Sequence, residues 1–127
     1  MQDGESATGY TVRSEVTAIA LGEVTMLLLP GEIFPELVTG EELTAGDPES
    51  LAAIAASLGH EQIITVSLAN DELGYIVPLH DFVLHDTLPY IETLDGDEDH
   101  YEETNSVGPA AASAVAEAVR TALELLK

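Results

Sequence analysis

The chain contains no cysteine, which removes disulfides, thiolate metal sites and cysteine nucleophiles from consideration. It is nearly without positive charge. Arg13, Arg120 and Lys127 are its only Lys or Arg residues, too few to build a basic patch for nucleic acid or an anionic membrane surface. Long hydrophobic runs are missing as well. The longest, Val24 to Pro30, falls far short of the roughly 20 residues a membrane-crossing helix needs. The opening Met1-Gln2-Asp3-Gly4-Glu5 lacks the basic and apolar regions of a secretory leader. No phosphate-binding loop, dinucleotide fingerprint or Gly-x-Ser-x-Gly nucleophile elbow is present.

What is there in excess is acid. Twenty-four Asp and Glu against three Lys and Arg give a formal net charge of −21 on 127 residues, 46% of them hydrophobic. That hydrophobic share suits one packed domain and argues against wholesale disorder. In dilute salt the self-repulsion opposes compaction, whereas at molar salt the screening length falls to about 3 Å. The acids are spread along the chain rather than gathered in a tail, the pattern expected of a soluble protein adapted to high salt (a halophile). The competing reading is an acidic protein that binds cations or basic partners.

Patterning predicts an α/β or α+β fold: a mixed sheet with an N-terminal β-hairpin, a crossover helix and a long C-terminal helix. Residues 1–8 read as a frayed tail. Tyr10 to Ala18 alternates as a half-buried strand, Leu21-Gly22 supplies a tight turn, and Val24–Leu29 is a buried strand stopped by Pro30-Gly31. A short helix is expected near Phe34–Val38. Asp47 as cap, Pro48 in the first turn and Gly59 beyond the end predict a helix over 48–58, with Leu51, Ile54, Ala55 and Leu58 inward. Gln62–Ala69 is rich in β-branched residues and reads as a strand, Leu73–Val77 as a shorter one, and 79–108 as mostly loop. After Gly108-Pro109 the last helix presents Val115, Val119, Ala122 and Leu126, with Glu117–Arg120 and Glu124–Lys127 spaced to pair.

Several constellations bear on chemistry. His80 and His85 sit in a near-repeat, Leu-His-Asp twice, but a spacing of five puts two imidazoles together on neither a helix nor a strand, so exposed loop residues are expected. Asp95, Asp97 and Asp99 are spaced like the start of a calcium loop, yet His100 occupies the position that needs Gly and Ser106 the position that needs Glu, so an EF-hand is rejected. Three polar segments follow or flank apolar strands: 29–37, 68–78 and 100–109. Strand ends are where sites assemble in open sheets. Taken as residues alone, Glu32, Tyr75 and Tyr101 fit either a site or plain turn chemistry and aromatic packing.

Together these segments resemble the neutral/alkaline ceramidase family, in the C-terminal part of its catalytic domain: Pro30-Gly31-Glu32 after a strand, Leu68-Ala69-Asn70 followed by Tyr75, then Tyr101-Glu102, Gly108-Pro109 and a helix. The resemblance covers roughly residues 12–127. It implies a zinc-dependent amide hydrolase in which Glu32 is the carboxylate ligand, Tyr75 the phenolate ligand and Tyr101 the catalytic phenol facing the amide carbonyl. The family's two zinc-binding histidines have no counterpart here, so zinc would belong to a full-length parent and bind this chain alone only weakly. The expected partner is the remainder of that catalytic domain. The segment between Tyr75 and Tyr101 is longer and more acidic than the family's. Geometry follows from the ligand set: oxygens of one zinc shell lie within about 4 Å of each other. Glu32 and Tyr75 should then converge within roughly 8 Å in the absence of metal, at the ends of neighbouring parallel strands Val24–Leu29 and Gln62–Ala69. The alternatives are a non-catalytic halophilic α/β binding or interaction module, and a cation-binding domain centred on residues 95–99.

The charge yields the first prediction. The thermal midpoint, followed by circular dichroism across a KCl series, should rise steeply from low to molar salt. A midpoint indifferent to KCl would remove the argument for salt adaptation.

Overall fold

The computed structural model describes residues 11–84 and 100–126. Its elements in chain order are β1 (Thr17–Leu21), β2 (Val24–Leu28), β3 (Glu32–Ile33), α1 (Pro35–Thr39), α2 (Leu51–Ser57), β4 (Gln62–Val66), β5 (Tyr75–Ile76), α3 (Tyr101–Thr104) and α4 (Ala111–Glu124). The fold is α/β. β1 and β2 form the antiparallel hairpin, with Leu21 opposite Val24 across a two-residue Gly22-Glu23 loop. Gly22 adopts a φ of 65°, which that loop requires and glycine takes without steric cost.

β2 also pairs with β4 in parallel, Val24 opposite Gln62 through Leu28 opposite Val66, so the three-stranded sheet runs β1-β2-β4. The connection between β2 and β4 carries α1 and α2, as a parallel crossover needs. One sheet face is packed: Thr25, Leu27 and Leu29 are buried there, with Ala18 and Ile63 beside them. Against it lie α2 (Leu51, Ile54, Ala55) and α4 (Ala112, Val115, Ala116, Val119, Leu123). The other face carries no covering layer among the described residues. Ile19, Met26 and Ile64 form one cross-strand row. Ile19 is 38% exposed, Ile64 50% and Val66 37%.

Local details depart from the sequence reading. The first strand begins at Thr17 rather than Tyr10, and residues 11–16 run outside it. Helix α2 starts at Leu51, capped by the Ser50 hydroxyl, which accepts from Ala53 N–H; Asp47 has another use. Gly59 does end it, with φ 89°. In α4 the fully buried residue of the last turns is Leu123, whereas Ala122 and Leu126 are partly covered. Arg120 reaches across to Glu49 at 2.6 Å rather than settling on Glu117. Residues 101–104 are a helical turn inside the expected loop.

The strand at Leu73–Val77 shrinks to β5 and leaves the main sheet. It pairs in parallel with β3, Glu32 opposite Tyr75 and Ile33 opposite Ile76. A bridge from Tyr75 to Ser106 adds a third segment on its other side. This second sheet demands close backbone approach. A Cβ on Gly74 (φ 75°) would overlap the Asn105 carbonyl, and one on Gly31 would press against the Gly74 carbonyl.

Gly74→Ala should therefore lower stability in urea unfolding by about 3 kcal/mol, from overpacking added to the left-handed penalty. Gly59→Ala shares that handedness but has no atom within 4 Å of the added carbon. It should lose only about 1 kcal/mol.

Candidate functional site

The three polar segments that follow or flank the strands are one structure. After β2, Leu29 accepts from Ala69 N–H at 2.8 Å and Pro30 from Leu73 N–H at 2.8 Å, which ties the 29–34 loop to the 67–74 loop. Glu32 N–H donates to Gly74 O at 2.8 Å and Phe34 N–H to Ile76 O at 3.2 Å. Tyr75 N–H donates to Asn105 O at 3.1 Å, which brings in the third segment. The 67–74 loop turns through left-handed backbone at Leu68 (φ 52°), Asn70 (φ 72°) and Gly74. Asn70 holds its position by donating to the Thr17 hydroxyl at 3.0 Å, and Asp71 by accepting from Ser14 at 3.0 Å. Left-handed backbone at a leucine is costly and persists only where its surroundings over-determine it.

This framework gathers Glu32, Tyr75 and Tyr101. Glu32 and Tyr75 are register partners on the two short strands. The Tyr101 ring meets the Tyr75 ring edge-on with centroids 5.8 Å apart, and Phe34 closes the other side of Tyr75 at 6.4 Å. Tyr75 is half-buried, while Glu32 and Tyr101 are exposed. Burial pushes the Tyr75 phenol above its ordinary value of 10.0, and the Glu32 charge, the Tyr101 phenol and the Glu102 charge push the same way. Chemically the cluster offers two oxygen donors side by side, one a carboxylate, with a second phenol at their edge. The convergence of Glu32 and Tyr75 is made by β3 and β5, one step beyond the ends of the β2–β4 pair.

The sequence reading missed a second arrangement. His80 does not lie in an exposed loop. Its Nδ1 is 2.7 Å from Asp47 Oδ2, and its backbone N–H donates to Asp47 Oδ1 at 3.2 Å. Asp47 also accepts from Thr44 N–H at 2.7 Å and the Thr44 hydroxyl at 3.0 Å, and its side chain is wholly buried. Burial alone would raise the Asp47 carboxyl, but these four hydrogen bonds overcome it and hold the group at about 2, below the ordinary 3.8. The only sequence signal was a capping-type Asp before Pro48, which reads as a helix cap. Beside His80 opens a cleft of about 360 Å³ lined by Phe34, Val77, His80, Asp81, Val83, His100, Glu102 and Glu103. Glu103 is buried there, accepting from Val83 N–H at 3.3 Å.

His85 and the acidic stretch 95–99 lie outside the described residues. Among the described residues no group of three or more His, Cys, Asp or Glu is placed to hold a metal ion, and no helix is long and apolar enough to cross a membrane. No family model, curated protein or solved structure matches the chain.

The depressed Asp47 carboxyl gives a signed prediction. Folding binds this proton less tightly than the unfolded chain does. Its stabilisation is therefore complete above the unfolded value of 3.8 and is lost as pH falls toward about 2. Asp47→Asn should lower stability at neutral pH by roughly 1–2 kcal/mol, allowing for solvent screening. It should also flatten the acid limb between those two values, as read by unfolding midpoints across a pH series.

Proposed function

We propose that this chain contributes part of the active site of a zinc-dependent amide hydrolase resembling neutral ceramidases, in a salt-adapted protein. The observation that carries the reading is the Glu32–Tyr75 pair. Residues 43 positions apart in sequence become register partners, with Tyr101 against the Tyr75 ring. The donor set fits two corners of a zinc shell, since zinc accepts oxygen ligands and takes four in most sites. The remaining donors, histidines in the family, would come from other polypeptide.

When bound, zinc polarises an amide carbonyl and acidifies a water molecule. The chain's own residues supply position. Glu32 and Tyr75 present adjacent oxygens from rigid, paired backbone. Burial and the nearby charges of Glu32 and Glu102 favour the protonated Tyr75 phenol, so a bound cation would be needed for it to serve as a phenolate ligand. Tyr101, its ring held against Tyr75, would supply a phenol as donor to the carbonyl oxygen, a role worth on the order of 3 kcal/mol in other enzymes.

The bare sheet face supports a larger domain. Parallel strands are ordinarily covered on both sides, yet here the row Ile19–Met26–Ile64 and its neighbours Leu28 and Val66 carry no covering layer among the described residues. Thr17, Ile19, Leu21, Val24, Met26, Leu28, Gln62, Ile64 and Val66 include no charge, in a chain of net −21. The remainder of the catalytic domain would cover this face. The same face favours the second reading, a non-catalytic α/β interaction module in which Glu32 and the tyrosines serve packing alone.

Zinc titration in molar KCl, followed by NMR, separates the two. The hydrolase reading expects binding weaker than micromolar that perturbs Tyr75 and is lost in Glu32→Gln and Tyr75→Phe but kept in His80→Ala. Tight one-to-one binding abolished by His80→Ala or His85→Ala, or no response at Tyr75, would move the metal elsewhere and leave the interaction module.

A further inference from the structure

We propose that the outer edge of β4 is a self-association surface, at which a second copy of this chain adds its own β4 antiparallel across a two-fold axis at Ile64. The inference goes beyond the hydrolase reading and uses none of its residues. It concerns the edge of the sheet, not the face that the remainder of a larger domain would cover.

β4 is hydrogen-bonded on one side only. Val66 O accepts from Leu29 N–H at 2.9 Å, so the peptide groups of Val66 face β2. Peptide groups alternate in direction along a strand, so those of Gln62 and Ile64 also face β2, and those of Ile63 and Thr65 point outward. Among the described residues nothing pairs with the outward groups. Soluble chains blunt such edges with charge, proline, a bulge or a covering loop. Gln62-Ile63-Ile64-Thr65-Val66 has no charge and no proline, and its register with β2 runs without a bulge. Ile64 stands half-exposed at its centre.

The strip complements itself. With Ile64 opposite its own symmetry mate, each Ile63 lies opposite a Thr65 and exchanges both N–H···O bonds with it, so every outward group of the two strands is paired. The two Ile64 side chains then form a non-hydrogen-bonded cross-strand pair, with Cβ atoms about 5 Å apart. The apolar row Ile19–Met26–Ile64 continues into the second copy.

Charge decides the occupant. Two chains of net −21 repel each other wherever their acids meet. Across this axis Glu61 lies opposite Ser67, and the six-residue offset keeps the two Glu61 residues roughly 20 Å apart, beyond the screening length of about 8 Å in physiological salt. A basic strand, the other partner that an acidic chain invites, would find no carboxylate between Gln62 and Val66.

Sedimentation velocity of the full chain in molar KCl tests this. Expected is a reversible monomer–dimer equilibrium, with the Ile63 and Thr65 amides exchanging more slowly as protein concentration rises. Ile64→Glu sets two carboxylates against each other at the axis and should weaken the dimer by about 10-fold or more, at an exposed position that tolerates the change. Thr65→Pro removes an outward N–H, leaves the ladder with β2 intact and should act in the same direction. Ile19→Glu, on the same face but on the far strand, should leave association unchanged. Circular dichroism confirms folding, and amide exchange in the unaltered chain keeps the test decisive if the edge variants do not fold. A chain still monomeric at millimolar concentration would leave the edge to a strand of other polypeptide and overturn the proposal. So would a dimer that survives Ile64→Glu, one abolished by Ile19→Glu (two sheets packed face to face), or Ile63 and Thr65 amides indifferent to concentration.

Discussion

Backbone contact between Gly31, Gly74 and Asn105 is the constraint on which the end of the molecule that carries Glu32 and Tyr75 depends. Three segments distant in sequence lie so close there that no side chain fits between them. Only that approach lets Glu32 N–H reach Gly74 O and Tyr75 N–H reach Asn105 O. Buried or half-buried peptide groups must find partners, and in this region they find one another. Register follows: once Glu32 pairs with Tyr75, their side chains leave the same face, because strand side chains alternate with a period of two. A slip of one residue would send one oxygen to each side.

Much of the frame was legible because it rests on local rules. The hairpin turn at Gly22, the parallel β2–β4 pair around a helical crossover, the Gly59 stop and the final helix each follow from periodicity or turn chemistry. The two-residue strands β3 and β5 were not, since so short a pairing leaves no periodic trace and depends on glycines whose function is tertiary. Asp47 misled for a related reason. Its neighbour Pro48 gives the local appearance of a helix start, but a partner 33 residues away at His80 captures the carboxylate, and Ser50 takes over the cap. Leu123 displaced Ala122 from the core because α4 packs on α2 and on β1, which widens and turns its buried stripe.

Glu32, Tyr75 and Tyr101 were singled out together by a family resemblance, not by spacing. Nothing in the 42 residues between Glu32 and Tyr75 marks the two as neighbours. Charge gave no help either: in a chain with 24 acids, a carboxylate that matters looks like any other. What distinguishes Glu32 is visible only in space, where it faces a phenol instead of solvent alone.

The same excess of acid explains why His80 could be overlooked and why it is well placed. A histidine in a chain of net −21 will find carboxylates nearby almost anywhere, so proximity to acid carries little information. Burial does. Asp47 is withdrawn from water and saturated by four donors, two from Thr44 and two from His80, which locks one loop to another. Salt at molar strength screens exposed pairs within a few ångströms but reaches a buried, hydrogen-bonded carboxylate far less. At molar salt, surface ion pairs such as Arg120–Glu49 lose most of their effect. The Asp47–His80 contact keeps its own, so the loop that carries Asp47 stays tied to the segment that lends His80 to the cleft under the conditions where long-range electrostatics contribute least.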